Sequence, residues 1–133
     1  MVSSLVGIVL SLFGGNAEVV YASEPPPQIE HKVILVEAES EEQKIIRRIK
    51  ETFHEDPENA VAIARCESQF RKDVVSPTND HGIMQINLTV HKEQVDALGL
   101  DVYNVEDNLT FARKLYDERG WKPWVCARKL GII

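Results

Sequence analysis

From Ser40 onward, apolar positions recur with a helical period and mark out four amphipathic stretches. Ile45, Ile46, Ile49 and Phe53 make the first stripe, with Arg47, Arg48 and Lys50 on other faces. Ser40 and Gln43 stand at capping-box spacing, so this helix is predicted to start there and end near His54. Asp56 as cap and Pro57 at the first helical position, where a missing N–H costs nothing, open a second helix running to about Gln69. "VHKEQVDAL" fits a third, shorter helix stopped by Gly99. "VEDNLTFARKLYDER" fits a fourth, with its stripe at Val105, Leu109, Ala112 and Tyr116 and its stop at Gly120. Between the second and third lies "NDHGIMQIN", Asn79 to Asn87, the only segment with strand or hairpin character. The expected fold is mainly α, an α+β arrangement of a small helical domain with a short hairpin or loop.

The first residues follow another pattern. Leu5 to Phe13 is an uncharged apolar run, too short for a spanning helix, which needs about 20 residues. It suits the core of a secretory signal, with small-residue cleavage options after Ala17 or Ala22, although no Lys or Arg precedes it. Pro25 to Pro27 enforce an extended linker, and Val33 to Val36 offer a short edge strand. The expected organisation is a leader or N-terminal anchor over 1–22, a linker over 23–39 and a folded domain over 40–133.

Composition narrows the function. A chain of 133 residues allows one domain, and 44% hydrophobic with 27% charged residues is ordinary for a globular protein. The net charge of −6 is spread along the chain, which argues against nucleic-acid binding. Four His and two Cys without close paired spacing give no metal pattern, and no cofactor is implied. Cys66 and Cys126 are most simply a disulfide in an exported small domain. Two buried thiols and a catalytic cysteine are the other readings, the last lacking a nearby His to activate it.

Glu67 is the candidate acid. Helical spacing puts it on the face of Ala60, Ile63 and Ala64, near a helix C-terminus. Apolar neighbours and the negative end of the helix dipole both disfavour its charged form, which is what proton delivery to a glycosidic oxygen needs. On spacing alone, the bland alternative of a solvated acid is the stronger one.

"AIARCESQF", then "SPTNDHGIMQIN", then "EDNLTFARKLYDERGWKPWVC" together resemble the lysozyme superfamily, especially bacterial lytic transglycosylase (SLT-type) domains. The resemblance covers roughly Asn59 to Cys126. It implies that Glu67 is the single catalytic acid/base, and that Ser68, Ser76, Met84 and Gln85 surround it or line a glycan groove. "DHGIMQIN" also resembles chicken-type lysozymes, which implies Asp80 at the place of their second carboxylate. Trp121 and Trp124 in "GWKPW" resemble the tryptophans that cover the acid in those enzymes. Core packing explains both equally, and Asp80 as a turn-forming acid before Gly82 is the plain alternative to a chemical role. Asn87, an amide, can position sugar or water but cannot act as base. The chain departs from many transglycosylases in lacking their Ala-Tyr-Asn-x-Gly segment after the fourth helix, leaving Tyr116, Trp121 or Trp124 to substitute.

The resemblance implies cleavage of the β-1,4 bond between N-acetylmuramic acid and N-acetylglucosamine in peptidoglycan, with 1,6-anhydro products and no metal. A retaining hydrolase using Glu67 and Asp80, and a non-catalytic glycan-binding module, are the alternatives. The expected partner is the glycan strand, met outside the cytoplasm by a monomer that touches membrane only through an uncleaved N-terminal segment.

Overall fold

The computed structural model describes residues 38–133, and the expected leader, linker and edge strand of Val33 to Val36 lie outside the described residues. Five helices and one hairpin follow in order: α1 (Glu41–Thr52), α2 (Pro57–Ser68), β1 (Asp80–His81), β2 (Ile86–Asn87), α3 (Leu88–Ala97), α4 (Val105–Arg119) and α5 (Val125–Lys129). Among them no helix is long and apolar enough to cross a membrane.

Local chemistry accounts for most of the boundaries. The Ser40–Gln43 capping box forms in full at the start of α1. Asp56 is the N-cap of α2 with Pro57 behind it, but its carboxylate makes no capping bond. It accepts instead from Asn59 Nδ2 at 3.1 Å and Trp121 Nε1 at 2.8 Å. Asn87 caps α3 through a bond from Val90 N–H at 3.0 Å, so this helix starts two residues before the expected Val90. The bounds of α4 are those expected, with Asn104 accepting from two N–H groups at its N-terminus. A fifth helix over Val125–Lys129 was not anticipated; five residues are too few to display a period.

The core joins Ile49 of α1 and its C-cap Phe53, Ile63 and Ala64 of α2, and Leu109, Phe111 and Ala112 of α4. Into it runs the turn of the hairpin, with Ile83 and Met84 both 0% exposed. β1 and β2 pair antiparallel with Asp80 opposite Asn87 and His81 opposite Ile86. A turn buried this deeply must place its backbone polar groups on partners. Gly82 N–H donates to Val74 O at 2.9 Å, and Gln85 N–H returns to Gly82 O. Ile83 O accepts from Ser68 Oγ at 2.8 Å, Met84 N–H donates to Asn108 Oδ1 at 2.9 Å, and Met84 O accepts from Trp124 Nε1 at 2.8 Å.

Asn108, 1% exposed, also donates to His81 O at 3.0 Å and Val102 O at 2.8 Å. Gly82 is required beside it. Its φ is +73°, and a Cβ there would stand 2.3 Å from Val102 O and 2.4 Å from Asn108 Nδ2.

Replacing Asn108 with Ala would orphan Met84 N–H and weaken the hold on two carbonyls. We expect a loss of about 2–4 kcal/mol, read as a lower urea midpoint at unchanged slope.

Candidate active site

The last three residues of α2 each hold a different attachment. Cys66 is bonded to Cys126 across a sequence separation of 60, which ties α2 to α5. The disulfide reading of the two cysteines therefore stands, and loop closure of this size is worth about 4 kcal/mol. Glu67 Oε1 accepts from Cys126 N–H at 3.1 Å. Ser68 points its hydroxyl inward to Ile83 O, with Ala64 O sharing the proton at 3.2 Å. One turn of helix thus fixes the acid to α5 and to the buried hairpin turn at once.

The helix then breaks sharply. Gln69 and Phe70 both take left-handed backbone, at φ 55° and 60°. Asn79, just before Asp80, and Gln85 in the turn do the same at 64° and 50°. All four positive-φ residues other than glycine among the described residues therefore lie between 69 and 85. Each costs roughly 1–2 kcal/mol in residues other than Gly, and such strain gathers at functional sites.

The proton affinities of the two carboxyls are shifted in opposite directions. Burial raises the pKa of Glu67, the Cys126 N–H bond lowers it, the Asp80 charge raises it and Lys129 lowers it, and the balance lies above the usual carboxyl value. Partial burial alone would raise Asp80. Donation from Ser76 Oγ at 2.6 Å, from Thr78 Oγ1, and from Asn87 Nδ2 at 2.7 Å outweighs it, with His81 adding, so Asp80 lies below its usual value. Asp80 therefore gives up its proton more readily, and Glu67 less readily, than an ordinary carboxyl. The effect of Asp80 on Glu67 places both in one electrostatic site.

The other expected site residues divide by depth. Ser76 and Asn87 meet at Asp80. Gln85 is half-buried and donates inward to Val74 O and Gly82 O. Ser68, Met84, Trp121 and Trp124 are buried; Ser68 and Trp124 hold the hairpin turn, and Trp121 donates to Asp56. Trp121 and Trp124 contact one another at 5.3 Å, and Tyr116 packs on Trp121 at 4.4 Å and on Phe53 at 5.5 Å. Tyr116 thus belongs to an aromatic cluster against α1.

Thr78, the Cys126 amide, Asn108 and His81 were not anticipated. The alternation Ser76, Thr78, Asp80 was the available signal for the first. His81 is held between Asn79 Oδ1 and Tyr103 Oη, each at 2.7 Å. A separate open cavity of about 490 Å³, lined by Lys72, Asp73, Asp101 and Tyr103 among others, includes neither carboxyl. Among the described residues no group of three His, Cys, Asp or Glu could hold a metal ion.

Residues 44–119 match the family described as Transglycosylase SLT domain. The chain is also similar to Lysozyme 1 of Musca domestica, 32% identical over 78 residues that cover 47% of this chain and 55% of that protein. It therefore spans about half the length of the curated relative it matches. No solved structure matches.

A raised folded-state pKa gives Glu67 a testable signature in stability. The native state holds the proton more tightly than the unfolded chain, so this contribution is full below the ordinary 4.5 and is lost as pH rises through the folded value. Glu67→Gln keeps an acceptor for Cys126 N–H and removes the titration. The variant should match the parent in thermal midpoint near pH 4 and exceed it at pH 8.

Proposed function

The chain belongs to the transglycosylase SLT domain family, and we propose that it cleaves the β-1,4 bond between N-acetylmuramic acid and N-acetylglucosamine in peptidoglycan, with Glu67 as acid and then base. The observation that carries this reading is the split pair: a half-buried carboxyl of raised pKa in the field of a fixed, ionised one. Glu67 Oε1 is occupied by Cys126 N–H, and Oε2 accepts no hydrogen bond among the described residues, which leaves it for substrate.

In the first step Glu67 gives its proton to the glycosidic oxygen, the C1–O bond breaks with its electrons going to that oxygen, and positive charge develops on the muramoyl ring. Asp80, with both oxygens fixed by Ser76, Thr78 and Asn87, is suited to stabilise that charge from a set position. In the second step the Glu67 carboxylate removes the proton of the ring's own 6-hydroxyl, and O6 bonds to C1. A 1,6-anhydro end forms without water, and Glu67 is protonated again. Such a reaction needs no enzyme nucleophile, which fits a carboxylate already committed to three donors. The disulfide supports work in an oxidising compartment outside the cytoplasm.

A lysozyme-type hydrolase is the second reading, favoured by the reach of the Asp80 charge to Glu67. Mass spectrometry of fragments released from peptidoglycan separates the two. The proposed reaction gives muropeptides lighter by one water and without a reducing end, and hydrolysis gives reducing ends. Glu67→Gln should lower turnover about 10²- to 10⁴-fold, the usual worth of a general acid, while binding persists. Full activity in that variant would refute the assignment.

A further inference from the structure

Among the described residues seven Lys and Arg side chains make no ion pair, Lys72 and Arg119 and five others that gather at one corner. On α1, α3 and α4 most cations meet a carboxylate: Arg47 meets Glu39 and Glu51, Lys92 meets Asp96, and Arg113 meets Glu55 and Asp117. At the corner where α5 joins the C-terminal end of α2, Arg65, Arg71, Lys122, Arg128 and Lys129 make no ion pair among the described residues.

Their contacts leave the positive charge uncompensated. Arg71 Nε donates to Ser68 O at 3.2 Å, and Arg128 donates to Lys122 O at 3.2 Å. The Arg65 guanidinium lies 5.1 Å from the centre of the Phe70 ring. Residues 120–133 hold Lys122, Arg128 and Lys129 and no Asp or Glu, in a chain whose net charge is −6.

This corner adjoins the acid. The disulfide joins the two helices there, Cys126 N–H bonds Glu67, and Lys129 follows Cys126 by three residues on the same side of α5. Arg71 sits on the carbonyl of Ser68, the residue after Glu67. The arrangement opposes the chemistry when the site is empty, because the Lys129 charge favours ionised Glu67. An anion bound to the corner would cancel that effect as substrate arrives.

We propose that this corner is an anion anchor, which binds carboxylates or phosphodiesters carried on wall glycan beside the scissile bond and so selects charged peptidoglycan over neutral N-acetylglucosamine polymers. The proposal rests on the glycan-cleaving reading above.

Its test is binding by the full chain carrying Glu67→Gln, with and without Arg128→Gln and Lys129→Gln, after matching thermal midpoints confirm folding. The ligands are peptide-bearing muramyl glycan fragments and neutral chitotetraose. Removing the two charges should weaken binding to the charged fragments about 3- to 10-fold and flatten its dependence on salt, with chitotetraose affinity unmoved. Equal loss on both ligands, or loss on neither the fragments nor walls that bear phosphodiester polymers, overturns the proposal. The same comparison on walls stripped of phosphodiester polymers identifies the anion: a difference that survives stripping assigns carboxylates, and one that disappears assigns phosphodiesters. Cleavage assays of Glu67→Gln in the otherwise native chain stand apart. Retained cleavage would remove the catalytic reading without touching the binding difference.

Discussion

A hairpin turn buried in the core is the constraint on which this molecule depends. Gly82 to Met84 lie where water cannot reach, so their backbone groups need protein partners. Those partners come from three places: Ser68 at the end of α2, Asn108 in α4, and Trp124 at the head of α5. Losing any one leaves a buried polar group unpaired, at about 1–3 kcal/mol. The turn therefore sets the relative positions of α2, α4 and α5. Gly82 is demanded by the approach of Asn108 and Val102.

The same attachment organises the chemistry. Ser68 follows Glu67, so fixing its hydroxyl on Ile83 O also fixes where the acid leaves the helix. Asp80 begins the strand that leads into the turn, and Asn87 ends the strand that leaves it. Asn87 bonds Asp80 across the pair and caps α3 with its other atom. The distance between the carboxyls is thus a property of the core, while their difference in proton affinity is local. Glu67 has one backbone donor and partial burial; Asp80 has three side-chain donors. Left-handed backbone at Gln69, Phe70, Asn79 and Gln85 is the conformational cost of this layout.

How much of this the sequence disclosed follows from which signals are local. The Ser40–Gln43 box and the full extent of α4 depend on residues within one turn of each other, and both appear as read. Glu67 stands out as the candidate acid through its combination with the Gly-Ile-Met-Gln-Ile run. Side-chain roles that depend on distant backbone do not. The bonds of Ser68 and Trp124 to the turn, and the place of Asn108 among the polar positions of α4, have no local signal in the chain. Asp56 looked like a capping carboxylate, but Trp121, far along the chain, claims it. α5 carries too few residues for a period and is held by the disulfide and the tryptophans around it.

The surroundings of Glu67, Asp80 among them, favour its protonated form. Carboxyl NMR titration of Glu67, in the parent chain and in Asp80→Asn, measures this without substrate. Glu67 should titrate above the ordinary glutamate value of 4.5, and its midpoint should fall when the Asp80 charge is removed. An ordinary midpoint in the parent, unmoved by the substitution, would contradict both.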